Sequence, residues 1–295
     1  MDLHNVQKTG NMFYVYLPTA WCKKQGITSK SKVQVEMEPE GGLIINAKHR
    51  EREAKKIELS IDEKNIEVIN RLIVACYINP ISSFTIKLPK ELTQEEVLEQ
   101  KKAVSLELME VDGKTIICES AIMIYEPEAI LKTIINKIKN IILVTTKNYN
   151  KELIHKYEEE IDRNRIMIDK AIISTLTFHQ PQRTRTINLH YIYQISRDLE
   201  RLTDHLILIE PKEKKFLLEV GKVIGVLGEK IDLAFKGKKF DYKEALDFIG
   251  KVLSIHKPAI KDIKSYYMNR VIDYLNDISE VLLDLAITDI VVEEK

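Results

Sequence analysis

The chain is 295 residues long and carries 45 basic against 45 acidic residues, so its formal net charge is zero. That balance excludes a global field able to recruit nucleic acid or a membrane surface, and any such contact must be local. Three cysteines, Cys22, Cys76 and Cys118, are an odd set without C-x-x-C spacing, which excludes a zinc ribbon and predicts reduced thiols in a cytoplasmic setting.

The length suffices for two or three domains with a sizeable core. Residues 1–48 are built from short alternating runs, Met12-Phe13-Tyr14-Val15-Tyr16-Leu17, Lys32-Val33-Gln34-Val35-Glu36-Met37 and Leu43-Ile44-Ile45, which read as strands by period and β-branched content. Pro18 ends the first, and residues 19–25 make two helical turns closed by Gly26. Glu38-Pro39-Glu40-Gly41-Gly42 is a hairpin turn. So few large apolar side chains cannot bury a core alone, which predicts a homodimer through this domain. Over residues 1–50 seven basic residues face four acidic ones. Lys8, Lys23, Lys24, Lys30 and Lys32 are therefore candidate phosphate contacts should the domain bind DNA. A dimerisation module kept soluble by its lysines accounts for the same residues.

Residues 49–55 form a charged connector. Between 56 and 125 the pattern is that of a small α+β domain with a linking role. Residues 56–60 read as a strand, Ser60-Ile61-Asp62-Glu63 as a capping box opening a helix to about residue 77, and 83–88 as a strand. Residues 93–101 read as a short helix, and 104–111 and 115–120 as strands joined by the hairpin signal Asp112-Gly113. No Gly-rich phosphate loop, His-Asp-Ser set or metal spacing occurs there.

From Pro127 onward the chain reads as helix throughout. The most apolar helix is broken by Lys132, Lys137 and Lys139, too many charges for a membrane span, and no membrane insertion is expected. Its inner face carries Ile130, Ile134, Ile138, Ile141 and Ile142. A second helix over 151–178 turns Ile154, Tyr157, Ile161, Ile168, Ile172 and Leu176 inward, and bears Glu158, Asp162, Arg165 and Asp169 at steps of four, three and four. A third spans about 189–210, with Ile192, Ile195, Leu199, Leu202, Leu206 and Ile209 on one face. Glu200 and Asp204 lie one turn apart on the other side, pointing toward solvent between Arg197 and Arg201. Such a pair suits a cation, and a salt-bridge ladder gives the same spacing. After Pro211 three further helices are expected, over 213–236, 242–256 and 258–289. Met268-Asn269-Arg270-Val271-Ile272-Asp273 repeats Leu199-Glu200-Arg201-Leu202-Thr203-Asp204 at a constant offset of 69 residues. The repeat implies two similar three-helix units, 127–210 and 211–295.

The string RDLERLTDHLILIE, preceded by KYEEEIDRNRIMIDKAI, resembles the PhoU family of phosphate-uptake regulators. That resemblance implies tandem three-helix bundles, each with an acidic E/D-x-x-x-D motif able to bind metal. Glu200 and Asp204 match the motif in the first bundle, and Glu158, Asp162 and Asp169 would complete an oxygen-rich site for Fe, Mg, Mn or Zn. In the second bundle Asp273 matches but Asn269 stands where an acid is expected. The run VQKTGNMFYVYLPTAWCKKQGI followed by KVQVE, GG and LII resembles the AbrB/SpoVT swapped-hairpin family, which implies an intertwined dimer that binds DNA. Together the resemblances imply a regulator of phosphate uptake acting at promoters or on the phosphate ABC transporter ATPase or its sensor. The alternative is an AbrB-type transcription factor whose bundles serve only oligomerisation. The Glu-x-x-His spacing of di-iron bundles is absent around Glu200, and no enzymatic activity is expected.

Overall fold

The computed structural model describes residues 5–37, 41–47, 56–96, 109–119, 126–178, 185–235 and 240–293. Small sheets near the N-terminus are followed by a mostly helical region, and the chain divides into two compact units, Met1–Glu53 and Ala54–Lys295.

In the first unit β1 (Gln7–Thr9) pairs antiparallel with β2 (Met12–Tyr14). Gly10 takes φ 61° between them, a left-handed value that favours glycine. The alternation over residues 12–17 predicted a longer strand; the pairing stops at Tyr14, and β1 was not foreseen because Gln7, Lys8 and Thr9 carry no apolar period. Helix α1 (Thr19–Gln25) follows Pro18. It is closed by Gly26 at φ 66°, with the Ile27 N–H donating to the Cys22 carbonyl at 2.9 Å, as a glycine C-cap does. A second hairpin joins β3 (Gln34–Met37) to β4 (Leu43–Asn46), Val35 opposite Ile45. Its expected turn at residues 38–40, and the connector up to residue 55, lie outside the described residues. No described side chain of this unit is buried: Phe13 is 68% and Met37 82% exposed.

The second unit begins with a four-stranded sheet of order β5-β6-β8-β7, formed by β5 (Lys56–Ser60), β6 (Ser83–Lys87), β7 (Met109–Asp112) and β8 (Thr115–Glu119). β5 and β6 run parallel across α2 (Ile66–Ile78), and the other pairs are antiparallel. Gly113 takes φ 56° in the β7–β8 turn. The Ser60–Glu63 capping box does not form. Ser60 is the last residue of β5, and α2 opens instead at Asn65, whose side chain accepts from the Glu67 N–H at 2.9 Å. A reciprocal capping box forms at Thr93, whose N–H donates to Glu96 at 2.8 Å while its hydroxyl accepts from the Glu96 N–H at 3.2 Å. The expected continuations of that helix past residue 96 and of β7 before 109 lie outside the described residues.

Among the described residues six α-helices follow: α3 (Pro127–Lys147), α4 (Lys151–Phe178), α5 (Thr186–Leu206), α6 (Lys214–Phe235), α7 (Tyr242–Leu253) and α8 (Ile263–Glu293). One continuous core runs through all of them. Like packs on like: α3 lies against α6 and α5 against α8, while α4 contacts α3 and α5. Gly221 of α6 admits the close approach, since a Cβ there would stand 3.3 Å from Ile142 Cγ2. Lys132 of α3 pairs with Asp232 of α6 at 2.6 Å, Lys137 with Glu160 of α4, and Arg185 with Asp289 of α8. Of the inner face expected for α4, Leu176 is instead 52% exposed.

α4 belongs to two cores. Ile161, Ile168 and Ile172 enter the helical one, whereas Ile166 packs with Ile69, Ile73, Phe84, Ile86 and Ile116 between sheet and α2. Lys170, also buried, sits 4.1 Å from the centre of the Tyr77 ring, a cation–π contact that binds α4 to α2.

Candidate metal centre

α4 starts where the Asn150 side chain accepts from the Leu153 N–H at 3.0 Å, which fixes the helical phase of the acids after it. Isoleucines at 154, 161, 168 and 172 take the bundle side. Glu158, Asp162, Arg165 and Asp169 then fall on a flank facing α5. On α5, burial of Leu199, Leu202 and Leu206 sets the rotation that turns Glu200 and Asp204 toward the same cleft. Of the two acids expected to point toward solvent, Asp204 is exposed, whereas Glu200 is half-buried, with Arg165 of α4 3.8 Å from it.

Glu158, Asp162 and Asp204 bring one carboxylate oxygen each within 4.8 Å of one another. Among the described residues this is the group of acids close enough to share one cation. Two full negative charges at that separation repel by roughly 3 kcal/mol at an effective dielectric constant of 20, so the site favours a proton or a cation. Asp162 holds its proton up to about pH 7, chiefly because burial disfavours the charge, with Glu158, Glu200 and Asp204 adding repulsion. Glu158 is raised by burial and then by Asp204, and Asp204 is raised by burial against the opposing pull of His205, Arg165 and Arg201.

Arg165 divides the acids. It donates to Asp169 at 2.7 Å and lies 3.8 Å from Glu200 through Nε, which is buried with no hydrogen-bond acceptor. Asp169 is therefore held by Arg165 rather than grouped with the three acids. Glu200 stands between the two sets, its proton affinity raised by burial and lowered most by Arg165. Arg197 donates to the Tyr193 hydroxyl at 2.6 Å while lowering the proton affinity of Asp169 and Glu200, and Arg201 lies 3.9 Å from Asp198 and acts in the same sense on Glu200 and Asp204. Hard oxygens alone suit Mg, Mn or ferric ions better than zinc, which prefers nitrogen and sulfur.

At the repeated position Asn269 is 3% exposed and donates to the carbonyls of Pro258 and Ser265 at 2.8 and 2.7 Å, while Asp273 pairs with Lys257 at 2.7 Å. These residues brace the start of α8. Sequence reasoning missed Asp198, raised to about 6 by burial and then by Asp277 of α8. The two fall at no repeat offset, and only the packing of α5 on α8 unites them.

In the N-terminal unit Lys8, Lys23, Lys24, Lys30 and Lys32 are all exposed. Lys8 lies 5.4 Å from the Phe13 ring centre, Lys23 and Lys24 occupy the last turn of α1, and the Lys30 N–H donates to Thr28 Oγ1 at 3.3 Å. Among the described residues no helix is long and apolar enough to cross a membrane. The chain matches no protein-family model, no curated protein and no solved structure.

Proposed function

We propose that the chain is a cytoplasmic regulator of phosphate uptake, a homodimer through its N-terminal unit, whose helical region is switched by a hard cation held between α4 and α5. The observation that carries this reading is the convergence of Glu158, Asp162 and Asp204 from two helices on one point. A cation there replaces mutual repulsion with shared attraction and pulls α4 toward α5. Three carboxylate oxygens leave coordination positions that water or a phosphate oxygen fills. The surface offered to a phosphate transporter ATPase, its sensor or DNA then depends on whether metal and phosphate are present. The dimer rests on the coreless first unit, whose exposed Phe13, Val35, Met37 and Leu43 need a second copy to cover them. Calorimetric titration with Mg²⁺, Mn²⁺ or Fe³⁺, with and without inorganic phosphate, tests the reading. Saturable metal heat that grows with phosphate and vanishes in Asp162→Ala or Asp204→Ala supports it, and heat indifferent to those substitutions overturns it.

A second reading, a DNA-binding factor whose helices serve only assembly, is favoured by the five exposed lysines of the first unit. It requires duplex binding that weakens with salt and is lost in a Lys23→Glu, Lys24→Glu double variant; no retardation at low salt dismisses it.

A further inference from the structure

α7 repeats α4 at an offset of 84 residues. Glu244 stands where Glu160 does, and each takes a lysine from the helix before it, Lys230 of α6 and Lys137 of α3. Ala245, Val252 and Ile255 are buried at the positions of Ile161, Ile168 and Ala171. In that register the flank that carries Glu158, Asp162, Arg165 and Asp169 on α4 carries Tyr242, Leu246, Ile249 and Leu253 on α7. Apolar side chains replace charged ones at all four positions.

The replacements do not make a core. Among the described residues Tyr242 is 41%, Leu246 51% and Leu253 69% exposed, with Ile249 half-buried between them. Steps of four, three and four keep the four side chains in one narrow stripe along a helix of 3.6 residues per turn. That is the a and d spacing by which two helices interlock. The bundle already takes its share of α7 through Ala245, Phe248 and Val252, so the second stripe is left for a further helix.

The stripe is its own complement. Reversed about a point between Leu246 and Ile249, it sets Leu246 on the partner's Ile249 and Tyr242 on the partner's Leu253, apolar on apolar in each layer. Beside it stand Ala245 and Val252 on one edge, Lys243 and Gly250 on the other. In the reversed arrangement Lys243 comes opposite the partner's Gly250, so no like charges meet. A Cβ at Gly250 would find nothing within 4 Å, which leaves room for the lysine stem. The remaining charges of α7 are engaged elsewhere: Glu244 and Asp247 hold Lys230, and Asp247 also holds Lys251.

We propose that α7 packs antiparallel on α7 of a second copy of this chain. Three helical turns bury less than the roughly 1,200 Å² at which stable interfaces begin. Alone the contact is weak, so it fills where the first unit has already brought two chains together, and in this it rests on the homodimer proposed above.

Cysteines read the arrangement in the full chain carrying Cys22→Ser, since Cys76 and Cys118 are buried. Leu246→Cys chains co-expressed with Ile249→Cys chains are expected to join under mild oxidation in several times the yield of either alone. Ser254→Cys, exposed but off the stripe, should give no such product. Phe13→Asp with Val35→Asp, which disables pairing through the first unit, separates the two contacts. That variant, monomeric when dilute, should still associate at millimolar chain in sedimentation equilibrium. Adding Leu246→Asp should remove the association while helical circular dichroism is unchanged. A first unit that never pairs would leave this second result intact. Equal yields from mixed and single chains, millimolar association indifferent to Leu246→Asp, or no association at all would overturn the proposal.

Discussion

Asn269 donates its side-chain amide to the Ser265 carbonyl at 2.7 Å, at the position that Glu200 holds 69 residues earlier. The same amide reaches the Pro258 carbonyl at 2.8 Å, so one buried nitrogen ties α8 to the segment leading into it. Asn269→Asp would set a carboxylate against two carbonyl oxygens. The expected cost is about 3 kcal/mol, for two lost donor bonds and a buried charge without a partner. A protonated carboxyl restores one donor, so thermal unfolding should show a smaller loss at pH 4 than at pH 8. An equal loss at both would mean that the amide does not brace this turn.

The acids between α4 and α5 make stability depend on pH in the direction opposite to ordinary surface carboxylates. Asp162 keeps its proton in the fold up to about pH 7, while the unfolded chain sheds it near pH 4, at roughly the value for a free aspartate. The folded state therefore binds more protons across that window. Its stabilisation is complete below the unfolded value and is lost as pH rises toward 7. Asp198, raised to about 6, acts in the same sense over a narrower range. In metal-free buffer the melting temperature should drop by several degrees between pH 4.5 and 7.5, at about 2–4 °C per kcal/mol for a large domain. A melting temperature that rises over that interval would contradict the burial of these carboxyls.

Asp162→Asn separates repulsion from coordination by sign. Without metal the substitution removes a crowded charge and should raise the melting temperature at pH 7.5. With a cation at 100 times its dissociation constant the parent protein gains about 2.7 kcal/mol by mass action, and the variant should gain little. Loss of stability in both conditions would place Asp162 among ordinary structural residues.

The contact of α3 with α6 sets limits that differ between two glycines. A Cβ at Gly221 meets Ile142 Cγ2 at 3.3 Å, within packed core, whereas at Gly228 the nearest atom is the flexible end of Lys139, also at 3.3 Å. Helix propensity favours alanine over glycine by about 1 kcal/mol. Gly228→Ala should therefore stabilise, Gly221→Ala should be near neutral, and Gly221→Leu should cost about 1–3 kcal/mol through overpacking. Denaturant titration ranks the three, and a tolerated leucine would mean that the helices are not in close contact there.

If the proposed dimer forms through the first unit, charging that unit's exposed apolar side chains should dissolve it without harming the helices. On that proposal the parent chain should sediment as a dimer and the Phe13→Asp, Val35→Asp double variant as a monomer, while helical circular dichroism persists. A parent chain that sediments as a monomer would remove the basis for pairing through this unit.

The elements that sequence made legible are those whose burial repeats along their own axis. Ile134, Ile138 and Ile141 mark the inner side of α3, and Leu199, Leu202 and Leu206 that of α5, because a helix packed on one side writes its period into the chain. Short strands lack room for a period, so β1 went unseen. Two capping-box spacings were present, at Ser60–Glu63 and Thr93–Glu96. Only the second forms, because Ser60 is committed to pairing with Lys87 in the sheet. For the acids, spacing put Glu158, Asp162 and Asp169 on one flank of α4. The pairing of Asp169 with Arg165 lies within α4 at the i, i+4 step and was open to reading, whereas the meeting of Asp198 with Asp277 is made by the packing of α5 on α8 and leaves no trace in the spacing.

The double allegiance of α4 bears on how this protein can be taken apart. A fragment cut near residue 126 would strip Ile166 and Lys170 of the surroundings that bury them, leaving an apolar side chain and an ammonium on a face shaped for Tyr77 and the sheet. The bundle is thus no detachable cassette. Sheet and helices should melt in a single calorimetric peak, and a lineage that exchanged one without the other would have to rebuild α4.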